Sequence, residues 1–224
     1  MIKPWATPAW ILLSLAGGCA PEPFTRGPLP PLNDPNPLAM RERFLDALPD
    51  RPVTFDETVI IQAPFHEKLA ALGELVVDRH ADRFELVGLT LVGVTLFKIR
   101  GDQHGSTVDF AVPQLMEHQN LLLAMGQDIR RMYFDLVPIE TAQVKIKKTR
   151  VVFSQNTKDG KLVFEFGGEP AVLLDKHLEG VFGAKWRARY YLYASSAPVL
   201  YPYGIVMDNN QFHYRIIVKN RAMR

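Results

Sequence analysis

Phe84-Glu85-Leu86-Val87-Gly88-Leu89-Thr90-Leu91-Val92-Gly93-Val94-Thr95-Leu96-Phe97-Lys98-Ile99-Arg100 is the stretch from which the fold can be read. β-branched and aromatic residues dominate it, polar and apolar positions alternate, and glycines interrupt it at 88 and 93. That pattern predicts two strands, 83–89 and 93–100, joined by a turn in the Gly88–Gly93 stretch. Working outward, Asp78-Arg79-His80-Ala81-Asp82 and Gly101-Asp102-Gln103-His104-Gly105 are turn segments. They separate these strands from further ones at 67–77 and 106–112, with Thr58–Gln62 before them. Glu67–Leu72 taken alone suits a helix. Turn residues every eight to twelve positions nevertheless mark an antiparallel meander.

The pattern changes at Pro113. Leu115, Leu122, Met125, Ile129, Met132 and Tyr133 recur at helical spacing as far as Phe134, with Gly126 placed where it can divide the run into two helices. Strands resume at 144–154, 161–166, 186–193, 201–207 and 211–219, with a short helix expected at 171–179. The last two strands form a hairpin about Asp208-Asn209-Asn210. Tyr201, Tyr203, Ile205 and Met207 share one face of it, and Phe212, Tyr214, Ile216 and Val218 share the other strand's face. Asn36-Pro37 opens one more helix, which has Leu38, Phe44, Leu45 and Leu48 as its apolar residues and ends at Pro49. The expected fold is α+β and mainly antiparallel β: one sheet of about nine or ten strands, wide enough to curl into an incomplete barrel, with a central helical lid.

The beginning of the chain has a different character. Lys3 is followed by the apolar run Ala9–Ala16, too short for a permanent span, which needs about 20 residues. Leu15-Ala16-Gly17-Gly18-Cys19 then resembles the lipobox of bacterial lipoproteins. The resemblance implies a signal peptide at 1–18, lipid attachment at Cys19, and periplasm-facing anchorage in a Gram-negative outer membrane, since Ala20 is not the aspartate associated with inner-membrane retention. Cys19 is the only cysteine, so a disulfide within the chain and a multi-thiol metal site are excluded. Residues 19–37 are proline-rich and should be extended. They can serve as a spacer from the membrane or as an arm wrapped on the domain, which occupies 38–224.

The 84–100 run also resembles the leucine-, glycine- and phenylalanine-bearing meander of uncharacterised proteobacterial lipoproteins related to LolB. As in that family, a strand (Thr107–Val112), a proline (Pro113) and a leucine-rich helix (Leu115–Phe134) follow it. This chain has Val92 where the family commonly has proline. It also lacks the tryptophan-proline that often closes the helix, offering Tyr133-Phe134 and Pro138 instead. The resemblance implies a curled sheet with helices closed over a hydrophobic cavity, as in the LolA and LolB lipoprotein carriers. It further implies an acyl chain or lipoprotein as ligand, and a periplasmic carrier as partner. Leu115, Leu122, Met125, Ile129, Met132, Phe97, Tyr203, Phe212 and Tyr214 are the candidate cavity lining. A Met- and aromatic-rich stripe also makes an ordinary core.

The remaining sequence excludes function classes more than it adds them. Charged residues make up 22% of the chain and the net charge is +2, which leaves no electrostatic footprint for nucleic acid. The six histidines have no paired ligand spacing, no Gly-x-Ser-x-Gly elbow occurs, and Gly167-Gly168-Glu169-Pro170 reads as a turn. No enzyme, cofactor or metal is expected. Lys145, Lys147, Lys148 and Arg150 suit either a solvated sheet edge or contact with anionic headgroups. Trp186, Tyr190, Tyr191 and Tyr193, with Arg187 and Arg189, can form a membrane-facing rim or the two faces of one strand. The alternative to a carrier is an assembly factor that binds a protein by strand addition.

Overall fold

The computed structural model describes residues 23–33, 35–62, 68–196 and 199–224; Cys19 and the segment 1–18 lie outside them. The elements are α1 (Pro37–Asp46), β1 (Val53–Gln62), β2 (Lys68–Asp78), β3 (Arg83–Leu89), β4 (Thr95–Asp102), β5 (Gly105–Ala111), α2 (Pro113–Met116) and α3 (Gln119–Tyr133). They continue with β6 (Gln143–Lys147), β7 (Arg150–Thr157), β8 (Gly160–Gly167), β9 (Val172–Gly180), β10 (Gly183–Ser196), β11 (Val199–Asn209) and β12 (Tyr214–Met223).

All twelve strands join one antiparallel sheet in the order β5-β4-β3-β2-β1-β12-β11-β10-β9-β8-β7-β6. Two meanders, β1–β5 and β6–β12, are therefore stitched together by the β1–β12 pair, in which Val59 faces Val218 and Ile61 faces Ile216. The strand count exceeds the nine or ten expected for two local reasons. The 144–154 run is broken by a turn at Lys148-Thr149 into β6 and β7. The segment expected as a helix at 171–179 is strand β9, because Leu173 and Leu178 bury themselves against neighbouring strands on both sides. β1 also begins five residues earlier than its β-branched run. Tertiary pairing overrides local propensity in such cases.

The decisive 84–100 hairpin has a packing reason for its composition. Gly88 stands opposite Phe97, and a Cβ on Gly88 would lie 2.3 Å from the Phe97 ring. The glycine is the seat that lets this ring lie flat on the sheet. Gly93, at φ +86°, supplies the left-handed residue of the turn.

α1 begins as its sequence indicates: the Asn36 side chain accepts a hydrogen bond from Ala39 N–H, with Pro37 in the first turn. Of its apolar residues, Phe44 does the burying, edge-on to Phe166 and Tyr193, whereas Leu38 and Leu45 are exposed. Ala47 O accepts from Leu200 N at the start of β11, so α1 closes the lower end of the curl. Here the upper end means the one at which β1 finishes.

From Phe24 to Leu32 the proline-rich segment lies on the domain. Phe24 packs on Tyr191 and fills the space above Gly204, where a Cβ would stand 2.7 Å from its ring. Arg26 donates to Leu174 O and Tyr190 O with its guanidinium over the Tyr191 ring, and Leu32 N donates to Lys148 O. Residues 24–32 thus form a strap from β11 across β10 and β9 to the β6–β7 turn. Trp186 and Tyr190 point into the core while Tyr191 lies under the strap, so these aromatics are the two faces of one strand.

Candidate functional site: the concave face beneath α3

Alternation along each strand sends one apolar set inward. Val53, Phe55, Val59 and Ile61 of β1 join Leu75 and Val77, Phe84 and Leu86, Phe97 and Ile99. From the other half come Val151 and Phe153, Phe164 and Phe166, Ile205 and Met207, and Ile216 and Val218. The break between helices falls at Glu117-His118 rather than at Gly126. Gly126 lies inside α3, at its closest approach to β5: a Cβ there would lie 2.4 Å from Ser106 Oγ and 3.4 Å from Ile99. α3 crosses the concavity with Leu122, Met125, Ile129 and Met132 all 2–4% exposed.

The last turn of α3 is gripped from both halves of the sheet. Lys176 Nζ on β9 donates to Phe134 O (2.9 Å) and Arg131 O (3.3 Å). Tyr190 Oη on β10 donates to Met132 O (3.1 Å), and Arg79 Nε, just after β2, donates to Tyr133 O (3.0 Å). A helix C-terminus leaves its last carbonyls without intrahelical partners, and cationic donors there also complement the helix dipole. Residues five places apart in strand order converge on one turn, which requires the sheet to curl around the helix. Burial lowers the Lys176 ammonium to about 8 and the Arg79 guanidinium to about 10.

Two buried polar clusters lie on the same interface. Tyr133 Oη donates to Glu57 Oε1 of β1 beside Asn220, and Glu57 is 3% exposed. Desolvation lifts its carboxyl to about 7, against the opposing pull of the tyrosine hydrogen bond. Asp128, fully buried, accepts from Asn209 Nδ2, Tyr214 Oη and Arg131 Nη1. Its carboxyl is also raised by desolvation, which Arg131, Tyr214 and Asn209 oppose. These groups bond to one another and fasten the helix to the sheet.

Leu122, Met125, Ile129, Met132, Phe97 and Tyr214 converge in the core, and Leu115 packs against its margin. Tyr203 is half-buried with the Lys219 ammonium 5.4 Å from its ring, outside that cluster. Phe212 stands in the β11–β12 turn, which runs from 210 to 213 rather than 208 to 210, and is exposed. Glu57, Asp128, Lys176 and Arg79 were not among the expected site residues. For Glu57 a signal existed: it takes the inward place between Phe55 and Val59. Lys176 was hidden by the helical reading of its segment.

No curated protein matches the sequence. Among solved structures, a LolA superfamily protein from Nitrosomonas europaea superposes with a TM-score of 0.53 at 9% identity, covering 84% of this chain and 92% of that one. An outer membrane lipoprotein-sorting protein domain from Vibrio parahaemolyticus gives a TM-score of 0.53 at 13% identity, covering 84% and 91%. At such identities the likeness is one of fold: a curled antiparallel sheet of the LolA type. The sequence from residue 61 to 222 matches the model of a protein family of unknown function, DUF3261, and the chain belongs to that family.

Proposed function

We propose that this protein is an envelope lipoprotein, anchored in the outer membrane through acylated Cys19, that binds an acyl chain or a similar hydrophobic envelope molecule between α3 and the concave sheet. It does so without catalysis. The observation that carries the reading is the form of the lid: an amphipathic helix over an apolar concavity, fastened among the described residues by polar groups from Asp128 to its C-terminal end. Its other end, from Pro113 to Asn120, is exposed except for the half-buried Leu115. Met125 and Met132 are adaptable side chains, and an acyl chain would take the space that they and Ile129 now fill. Each CH2 so buried contributes roughly 0.8 kcal/mol. A periplasmic carrier delivering the ligand is part of this reading.

Native mass spectrometry of the protein extracted from envelopes tests it, together with titration by a fluorescent fatty acid. Stoichiometric acyl ligand is expected; an empty protein that also leaves the probe unbound sinks the reading. Cys19→Ser should abolish lipid labelling and release the protein from membranes.

A second reading, an assembly factor that pairs with a partner's strand, is favoured by β6. This edge strand is exposed along its whole length, with Val144 and Ile146 uncovered. Its lysines at 145 and 147 guard the edge against indiscriminate pairing. Ile146→Pro would abolish partner binding under this reading and leave fatty-acid binding intact under the first.

A further inference from the structure

Because every neighbouring pair of strands is antiparallel, the turns 90–94, 181–182 and 210–213 all fall at the upper end of the sheet, opposite α1. Each carries apolar side chains in water. Val181 and Phe182 form the tip of the β9–β10 hairpin and are 93% and 102% exposed. Phe212, 53% exposed, stands on the next hairpin. That hairpin is tied to the base of the first by Asn210 N to Lys185 O and Asn210 Nδ2 to Ala184 O. Leu91, Val92 and Val94 are uncovered on the β3–β4 turn. Nothing in the fold requires a phenylalanine on a two-residue turn between Gly180 and Gly183, where polar residues serve as well.

We propose that this upper end, led by Val181 and Phe182, docks into the interface of a phospholipid bilayer. Two observations select a bilayer as the occupant. Lys161 of the β7–β8 hairpin, ion-paired with Glu179, and Lys185 of β10, which donates to Asp159 O, lie beside the tip; with Lys158 on the neighbouring turn they bring cationic groups suited to headgroup phosphates next to inserted apolar residues. The strap also seats Phe24 on Gly204 and Tyr191, on β11 and β10, the strands that lead up to the Phe212 and Phe182 turns. Phe24 lies five positions after Cys19, a reach of at most about 18 Å. The proposal therefore rests in part on the acylated Cys19 of the preceding section, which would hold these strands beside the membrane.

Because Cys19 is the only native cysteine, a nitroxide can be placed at Val181→Cys in the full chain, with His104→Cys at the lower end as the comparison. Each is measured in vesicles of phosphatidylethanolamine and phosphatidylglycerol, with Cys19 acylated and with Cys19→Ser. In vesicle-bound protein the label at 181 should become accessible to oxygen and shielded from a water-soluble nickel chelate, while the label at 104 stays in water. Phe182→Asp should lower the vesicle-bound fraction of the Cys19→Ser protein about tenfold. A label at 181 that remains open to the chelate in vesicle-bound protein overturns the proposal. So does shielding that appears only when a periplasmic protein is added, which would make the tip a protein-binding site. Loss of acylation or of fatty-acid binding is read out separately and counts against the anchor or the cavity, not the tip.

Discussion

Tyr133, in the last turn of α3, donates its hydroxyl to Glu57 in the middle of β1, joining the lid to the strand at which the two meanders meet. Among the described residues the carboxylate's hydrogen bonds include no cationic donor, so its charge is costly in this setting.

Glu57 therefore sets a pH dependence. Its carboxyl sits at about 7 in the folded protein against 4.5 as the ordinary value, so the unfolded chain releases this proton first. Stability falls as pH rises from about 4.5 to about 7 and stays lower above, by at most about 3 kcal/mol. Lys176, lowered to about 8, adds a roughly constant penalty below that pH. Glu57→Gln should reduce the slope, Asp128 contributing part of what remains, and be more stable than the native protein at pH 8 by about 1–3 kcal/mol. Urea midpoints at pH 5 and pH 8 measure it, and parallel profiles for the two proteins would refute the assignment.

Lys176→Met leaves Phe134 O and Arg131 O without their ammonium donor. A loss of about 1–3 kcal/mol is expected, with faster hydrogen exchange concentrated in α3 and little change in the β1–β12 amides.

Gly126→Ala places a methyl group against Ser106, whose Oγ and Cβ would stand 2.4 and 2.6 Å away. Lifting α3 from β5 should cost about 1–3 kcal/mol. Gly126→Ala with Ser106→Gly should recover most of it, so additive losses in thermal unfolding would disprove direct contact.

Gly204→Ala should unseat Phe24, since the added Cβ falls 2.7 Å from its ring. Limited proteolysis then cuts within residues 20–35 faster than in the native protein, while the sheet keeps its unfolding midpoint to within about 1 kcal/mol. Unchanged cleavage would mean that the strap is held by Arg26 and Leu32 alone.

The meander and the lid were legible in the sequence because their determinants are local. Alternation in 83–112 and the spacing of Leu122, Met125, Ile129 and Met132 state which face of each element is apolar, and those faces meet. The Gly88–Phe97 pair shows the same economy, since both partners lie within one hairpin. Residues 171–179 were misread because Asp175, Lys176 and His177 interrupt any alternation. Asp175 is buried by pairing with Arg187 and His177 on the outer side, and Lys176 by the carbonyls of α3. Phe212 was assigned to a strand because the turn length is decided by the Asn209 side chain accepting from Phe212 N, not by composition.

By itself, the sequence determined an antiparallel mainly-β chain with one central amphipathic helix, and an extended segment after a lipobox-like cysteine. All of these follow from periodicity and residue type within a few positions. Only the tertiary structure decided that β1 pairs with β12, that the proline-rich segment is a strap, and that Arg79, Lys176 and Glu57 hold the helix. Those contacts join residues far apart in the chain. Whether a buried charge or a free strand edge is tolerated depends on the partner that the fold brings to it, and that partner leaves no local mark in the sequence.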